Sequence, residues 1–182
     1  MEVHSDFDIP WCKDLLQSDI EVVEIPTRKD KSPSPNDDEV SNSMFARTLY
    51  TETAIRAQVN FKRPTSEPDA LTTTEYCYLL SLGSGIDGKS GRAHGGFNAL
   101  ILDQMTGTVA SQVSGSFAPA TATMTVDYKA PIDTPGVILC RGWAVEKERR
   151  KVWAKARIED GSGRVLASAK ALFISARQES KL

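Results

Sequence analysis

A glycine-rich turn that runs into an acid held within an apolar segment is the part of this sequence with the material for chemistry. Gly91-Arg92-Ala93-His94-Gly95-Gly96-Phe97-Asn98 leads into Ala99-Leu100-Ile101-Leu102-Asp103, and small residues recur at Ala99, Gly107 and Ala110. The pattern predicts a buried helix from about Gly96 to about Gln112, with Leu100, Met105 and Val109 turned toward a core. Its first turn presents backbone N–H groups without intrahelical partners, at the positive end of the helix dipole, and glycine lets a ligand come close. Such an end suits an oxyanion or a polarised carbonyl.

Asp103 is the second chemical group, because an unpaired carboxylate among Leu100-Ile101-Leu102 and Gln104-Met105 is costly to bury and demands compensation. The step from Gly96 to Asp103 is roughly 10 Å of helical rise and nearly two turns, too far for both to grip one carbonyl. Two such helices packed antiparallel across a two-fold axis would set the start of one beside the acid of the other, twice per dimer. Cys12, Cys77 and Cys140 are odd in number and far apart, so they read as reduced intracellular thiols and not as a disulfide framework or metal ligands. No metal site is expected.

Composition bounds the partners. A chain of 182 residues with 40% hydrophobic residues suits one globular domain with an extension. A formal net charge of −2 offers no positive field for a phosphate backbone, so a nucleic-acid partner is not expected. No apolar run reaches the roughly 20 residues of a membrane helix, and Met1-Glu2-Val3-His4-Ser5-Asp6 is too polar for a secretory signal. Ser180-Lys181-Leu182 is the tripeptide read by the peroxisomal import receptor at an extreme C-terminus, which implies a eukaryotic, peroxisomal protein; the alternative is a polar tail in the cytoplasm.

The remaining segments are the elements that must position this chemistry. Ile9 to Leu16 is a short helix with Pro10 near its start, and Trp11, Leu15 and Leu16 share one side. Ile20 to Ile25 alternates like a strand or strap, and Pro26 to Asn42 has linker composition, so residues 1–42 are taken as an arm and linker. A main domain over 43–177 and a tail over 178–182 complete the chain. Strands are expected over Ile55–Phe61, Thr72–Leu82, Ala122–Lys129, Val137–Val145, Lys151–Glu159 and Val165–Ser175, the last two joined by the turn Asp160-Gly161-Ser162-Gly163. Val152, Ala154, Ala156 and Ile158 point one way and Trp153, Lys155, Arg157 and Glu159 the other, as in an antiparallel sheet with one face on a helix.

Gly83-Ser84-Gly85-Ile86-Asp87-Gly88-Lys89-Ser90 has the spacing of a phosphate-binding loop. That loop must open directly into a helix, whereas Gly91, Gly95 and Gly96 interrupt the stretch after Ser90, and too few residues remain for a crossover between parallel strands. A nucleotide-binding protein is therefore a minor alternative.

With strand, glycine turn, long helix and further strands in place, the chain from Phe45 to Ala176 resembles the hotdog-fold acyl-CoA thioesterases, and within them the branch typified by the phenylacetate-pathway enzyme. His94-Gly95-Gly96 matches that family's His-Gly-Gly, and Asp103 matches its catalytic acid. Tyr128-Lys129-Ala130-Pro131 is similar to its Tyr-x-x-Pro, and Thr121 falls where relatives place a Ser or Thr that orients water. Gly88 stands where many relatives carry Asn or Gln, a contact that Asp87, Ser90 or Asn98 would have to supply. The resemblance implies an α+β hotdog fold, an antiparallel sheet wrapped around one long helix, and a homodimer or dimer of dimers.

It also implies roles. Backbone N–H groups near Gly95 or Gly96 would receive the thioester carbonyl, and the partner chain's Asp103 would activate water or attack directly. Thr121 would hold the water, and His94 would shape the loop by hydrogen bonding. Arg149, Arg150 and Lys151, in a charged turn between strands, and Arg92 and Asn98 beside the glycines, are candidates for coenzyme A binding. No separate cofactor is implied, since coenzyme A belongs to the substrate. Two alternatives remain: a hotdog enzyme of a biosynthetic pathway that releases or dehydrates an acyl chain, and a non-catalytic acyl-CoA binder. Phe97, Phe117 and the N-terminal segment would set pocket depth, and Ser111 to Pro119 would form a lip.

Overall fold

The computed structural model describes residues 2–26 and 43–176; the expected linker beyond Pro26 and the tail with Ser180-Lys181-Leu182 lie outside them. In chain order the elements are α1 (Pro10–Gln17), β1 (Glu21–Glu24), β2 (Ile55–Pro64), β3 (Thr74–Leu82), β4 (Asp87–Lys89), β5 (Arg92–Ala93), α2 (Gly95–Ser114), β6 (Ala120–Tyr128), β7 (Gly136–Glu148), β8 (Lys151–Glu159) and β9 (Val165–Ile174). A wide helical turn at Met44–Leu49 fills the segment before β2, for which residue patterning favours no single element. Seven strands form one antiparallel sheet in the order β1-β2-β3-β7-β8-β9-β6, and β4 and β5 make a separate small hairpin.

The long helix lies on the inner face of this sheet, over β7, β8 and β9. Phe97, Ile101, Leu102, Met105 and Val109 pack with Leu80 and Leu82 of β3, Ile138 and Cys140 of β7, and the Val152, Ala154, Ala156, Ile158 row of β8. Gly142 permits the close approach, since a Cβ there would fall 2.7 Å from Met105 Cγ. The expectation for Leu100 is corrected: the buried positions of α2 recur as 97/98, 101/102, 105/106 and 109/110, which turns Leu100 to the half-exposed side. Gly115, at a φ of 70°, caps the helix and takes the chain into β6. The helix thus absorbs Ser111 to Ser114, which sequence reading assigned to a lip, and Phe117 is 80% exposed.

The outer face is covered as well, which patterning did not anticipate. Phe7 and Cys12 from the N-terminal arm pack on Ala57, Val59 and Phe61 of β2, Cys77 and Leu79 of β3, and Leu139 of β7, a second apolar cluster. Asp6 locks this arm down, accepting from Ser81 Oγ at 2.5 Å and pairing with Arg56 Nε at 3.3 Å. Further along, Arg141 meets Glu67 at 2.7 Å, Glu75 at 2.9 Å and Glu159 at 2.9 Å. The guanidinium groups of Arg141 and Arg157 lie 5.2 and 5.0 Å from the centre of the Trp143 ring, whose Nε1 donates to Asp69 at 2.9 Å. Burial alone would lower the Arg141 pKa, but hydrogen bonding to Glu67 and the charges of Glu75 and Glu159 outweigh it and raise it. Glu159, which alternation places on the open side, is for this reason 8% exposed.

All three cysteines are buried and unpaired; burial pushes the Cys12 thiol up to about 12 and the other two well above their ordinary range. A thiol reagent at pH 8 is therefore expected to label the native protein slowly and the urea-unfolded protein at three sites, as counted by mass spectrometry. Arg141→Ala strips Glu159 of its cation and leaves Glu75 and Glu67 with only Arg63 and Arg157, each at 2.7 Å. Urea unfolding should show a loss of about 3–5 kcal/mol, and Arg141→Lys should recover only part of it because one ammonium cannot span three partners in a planar fork.

Candidate active site

The loop before α2 is built by backbone bonds to the rest of the sheet. Gly83 and Gly85 donate to the carbonyls of Ala54 and Thr53 at 2.7 and 2.6 Å, so these N–H groups are occupied by protein, and α2 begins six residues beyond Lys89. The segment with phosphate-loop spacing is therefore a hydrogen-bonded turn that leads into β4. Asp87 organises its second half, accepting from Gly91 N at 2.9 Å and from the Thr134 hydroxyl. Ala93 N donates to Ile132 O at 3.0 Å, and His94 N donates to Ile86 O at 2.8 Å. These ties hold the start of α2 against the loop that precedes β7.

His94 is the N-cap of α2: its Nδ1 accepts from Gly96 N at 2.8 Å, while its carbonyl accepts from Phe97 N and Asn98 N. Gly88 explains the absence of the family's amide at this position, because a Cβ there would lie 2.8 Å from His94 Cδ2. Of the two glycines expected as carbonyl donors, Gly96 gives its N–H to His94. Gly95, at the first helical position, is the donor left without an intrahelical acceptor. Its own carbonyl accepts from Tyr128 Oη at 3.0 Å, and that ring lies 3.4 Å from where a Gly95 Cβ would be. Tyr128 thus fixes the glycine peptide from the far end of β6; the Tyr-x-x-Pro pattern carried the signal without its purpose.

Asp103 is half-buried, and Thr121 Oγ1 donates to its Oδ1 at 2.9 Å. This contact depends on an irregularity. Met124 and Val126 turn inward against the core, so plain alternation would send Thr121 to the opposite face. The register with β9 slips between Thr121 and Thr123, which makes Ala122 an inserted residue and returns Thr121 to the helix side. The threonine hydroxyl spends its one proton on Asp103 and keeps lone pairs to accept from water. A water held between Thr121 Oγ1 and the free oxygen of Asp103 would have a lone pair aimed outward.

The other candidate residues divide. Asn98 is 5% exposed, with its Oδ1 buried and unpaired, so it faces the core and not a surface ligand. Arg92 is exposed in β5 at the start of α2. Arg149, Arg150 and Lys151 are exposed at the β7–β8 turn, where Arg150 donates to Ser175 O and the neighbouring Lys147 to Val113 O, near the end of α2. The cross-strand row Lys151, Ile174, Ala120 sets this turn beside the beginning of β6 and Thr121. Within one chain, then, the two sets of cations lie at opposite ends of a helix about 30 Å long, with Asp103 between them.

Residues 90–167 match the thioesterase superfamily. The chain is 35% identical over 97 residues to the acyl-coenzyme A thioesterase THEM4 of Xenopus laevis, a match covering 53% of this chain and 43% of that protein, so it spans less than half of the curated relative. Thioesterase superfamily member 2 of zebra fish superposes with a TM-score of 0.53 at 14% identity, over 63% of this chain and 81% of that one. A hypothetical thioesterase from Streptococcus pneumoniae, solved with coenzyme A, does so with a TM-score of 0.52 at 19% identity, over 65% and 88% of the two chains. The architecture is the hotdog fold.

The geometry makes His94 a cap. His94→Ala should cost about 1 kcal/mol in urea unfolding. Gly88→Asn, whose Cβ would lie 2.8 Å from His94 Cδ2 and 3.0 Å from His94 Cα, should cost at least as much, and the double variant should fall short of the sum only by the part of the clash that the ring carries, since the contact with the His94 backbone remains.

Proposed function

We propose that this chain, a hotdog-fold protein whose residues 90–167 match the thioesterase superfamily, hydrolyses an acyl-CoA thioester to the free acid and coenzyme A. The observation that carries this reading is the Thr121–Asp103 hydrogen bond, which sets a carboxylate and a water-accepting hydroxyl together on the helix flank. The likeness to an acyl-coenzyme A thioesterase over 97 residues supports the substrate class. Asp103 takes a proton from a water as that water attacks the thioester carbon, or attacks the carbon itself to give an anhydride that water then cleaves; in either case the carbonyl oxygen gathers charge at the Gly95 N–H, the C–S bond breaks, and the coenzyme A thiolate leaves and takes up a proton.

Eight residues separate Gly95 from Asp103, about 12 Å along the helix, so one chain cannot serve both ends of a thioester carbonyl. A two-fold dimer answers this. Strand β6 pairs only with β9, and among the described residues its other edge has no strand partner although the strand is nine residues long. An edge of this kind invites another strand. Pairing β6 with its copy lays the two α2 helices antiparallel, so that the Gly95 of one chain approaches the Asp103 of the other. The same operation carries Arg92 of one chain toward the Arg149, Arg150, Lys151 turn of the other, a cationic rim suited to coenzyme A phosphates.

Thiol release from a panel of acyl-CoAs tests this. Asp103→Asn should lower kcat/KM by at least ~100-fold with the fold intact, and retained turnover removes Asp103 from the mechanism. Gly95→Pro deletes the N–H at a position where proline fits a helix start, and should lose activity as well. Mixing the two inactive variants under subunit exchange should restore about a quarter of wild-type activity, since half the dimers then hold one intact site of two. No recovery would place each site within a single chain.

A further inference from the structure

Strand β2 turns its polar residues inward. Residues directly opposite in an antiparallel pair share a face, and Gln58 pairs with Leu80 and Asn60 with Tyr78, both members of the inner core. Val59 and Phe61, between and beyond them, face outward under α1. A register slip between Ile55 and Ala57 produces this inversion, since Ile55 still belongs to the inner cluster. Two amides are thereby placed on the face that lines the helix, where apolar packing would be the default.

What they face is not packed. Gln104, Thr108 and Gln112 recur every fourth residue along α2 and form one stripe on the flank away from Thr121. Between this stripe and the β2 amides is a partly open cavity of about 490 Å³, walled by Phe45 and Tyr76 and bordered by the strap at residues 23–26. That volume is within the usual range for small-molecule sites. Its polar groups are already oriented: Tyr78 Oη and Thr108 Oγ1 are 2.5 Å apart, Gln58 Nε2 donates to Asn60 Oδ1 at 2.6 Å, and Asn60 Nδ2 donates to Glu24 Oε2 at 3.3 Å. Burial pushes the Tyr78 phenol up to about 12, which keeps it a neutral donor.

We propose that this cavity receives the acyl group of the substrate, and that it selects neutral, oxygen-bearing chains, hydroxylated or keto-substituted, over plain alkyl chains of the same length. The inference rests on the thioesterase reading, because Gln104 directly follows Asp103 and opens the cavity wall one residue from the acid. Four amides present donors and acceptors together, which suits a hydroxyl or ketone; an alkyl chain would strip them of water and return nothing. Glu24 at the wall opposes an anionic chain.

The test measures kcat/KM for octanoyl-CoA and a mid-chain hydroxyoctanoyl-CoA with wild type, Gln104→Leu and Asn60→Leu. Wild type should favour the hydroxylated ester by about tenfold or more, and each variant should bring the ratio toward unity. Equal hydrolysis of both esters by wild type, or a ratio that neither variant moves, overturns the pocket assignment and leaves the hydrolase standing. If no ester is hydrolysed, the thioesterase reading fails. Calorimetry with hydroxyoctanamide and octanamide then judges the cavity separately: selective binding lost in the variants upholds its preference, and indifference overturns it.

Discussion

A carboxylate placed midway along a helix that is otherwise packed into a sheet constrains everything around it. Asp103 has Leu102 and Ile101 on its core side, and burying that apolar row brings the acid to the flank where Thr121 of β6 donates to it. The two requirements agree on which flank of α2 faces the sheet edge. The rows at 97/98, 101/102, 105/106 and 109/110 then fall onto β7 and β8, with Gly142 making room for Met105. Apolar burial thus fixes the orientation of the helix, and the Thr121 hydrogen bond, worth about 1 kcal/mol net, holds the carboxylate that this orientation brings to β6.

The helix start is constrained from another side. Tyr128, at the end of the strand that begins beside Asp103, holds the Gly95 carbonyl, while His94 caps Gly96. One strand therefore touches both chemical ends of the helix, Thr121 at the acid and Tyr128 at the glycine. Because β6 is also, among the described residues, an edge strand of the sheet, a partner strand joined there would transmit its position to both ends at once. Rigidity comes from the opposite face: the arm around Phe7 and Cys12 and the Arg141 cluster with Trp143 clamp β2, β3, β7 and β8 from outside. Such support leaves the inner face free to carry polar side chains and a cavity without losing the sheet.

Much of this was legible from residue order. The alternation in β8, the apolar run of α2 and the glycine turn are local patterns, and each became the element it implied, within two residues at most boundaries. The pairing of Thr121 with Asp103 was anticipated only as two residues serving one water, and the direct hydrogen bond is a tertiary fact. Less visible were Asp87, Gly88 and the Gln104, Thr108, Gln112 stripe. Asp87 and Gly88 read as turn residues until Gly91, Thr134 and His94 are seen against them, and the stripe reads as a solvated flank until β2 is seen opposite.

Sequence alone determined the long helix, the main strands and the place of Asp103 within the helix, because each arises from a period or a motif contained within a short stretch of chain, whereas the capping role of His94 and the small β4–β5 hairpin emerged only with the fold. Two inserted residues were decided only in three dimensions. The register slips beside Thr121 and beside Ile55 each reverse the face of the strand residues that lie on one side of them, bringing a threonine to the acid and two amides to the cavity. A bulge is a relation between two strands, and no pattern along one of them records where its partner fails to keep step.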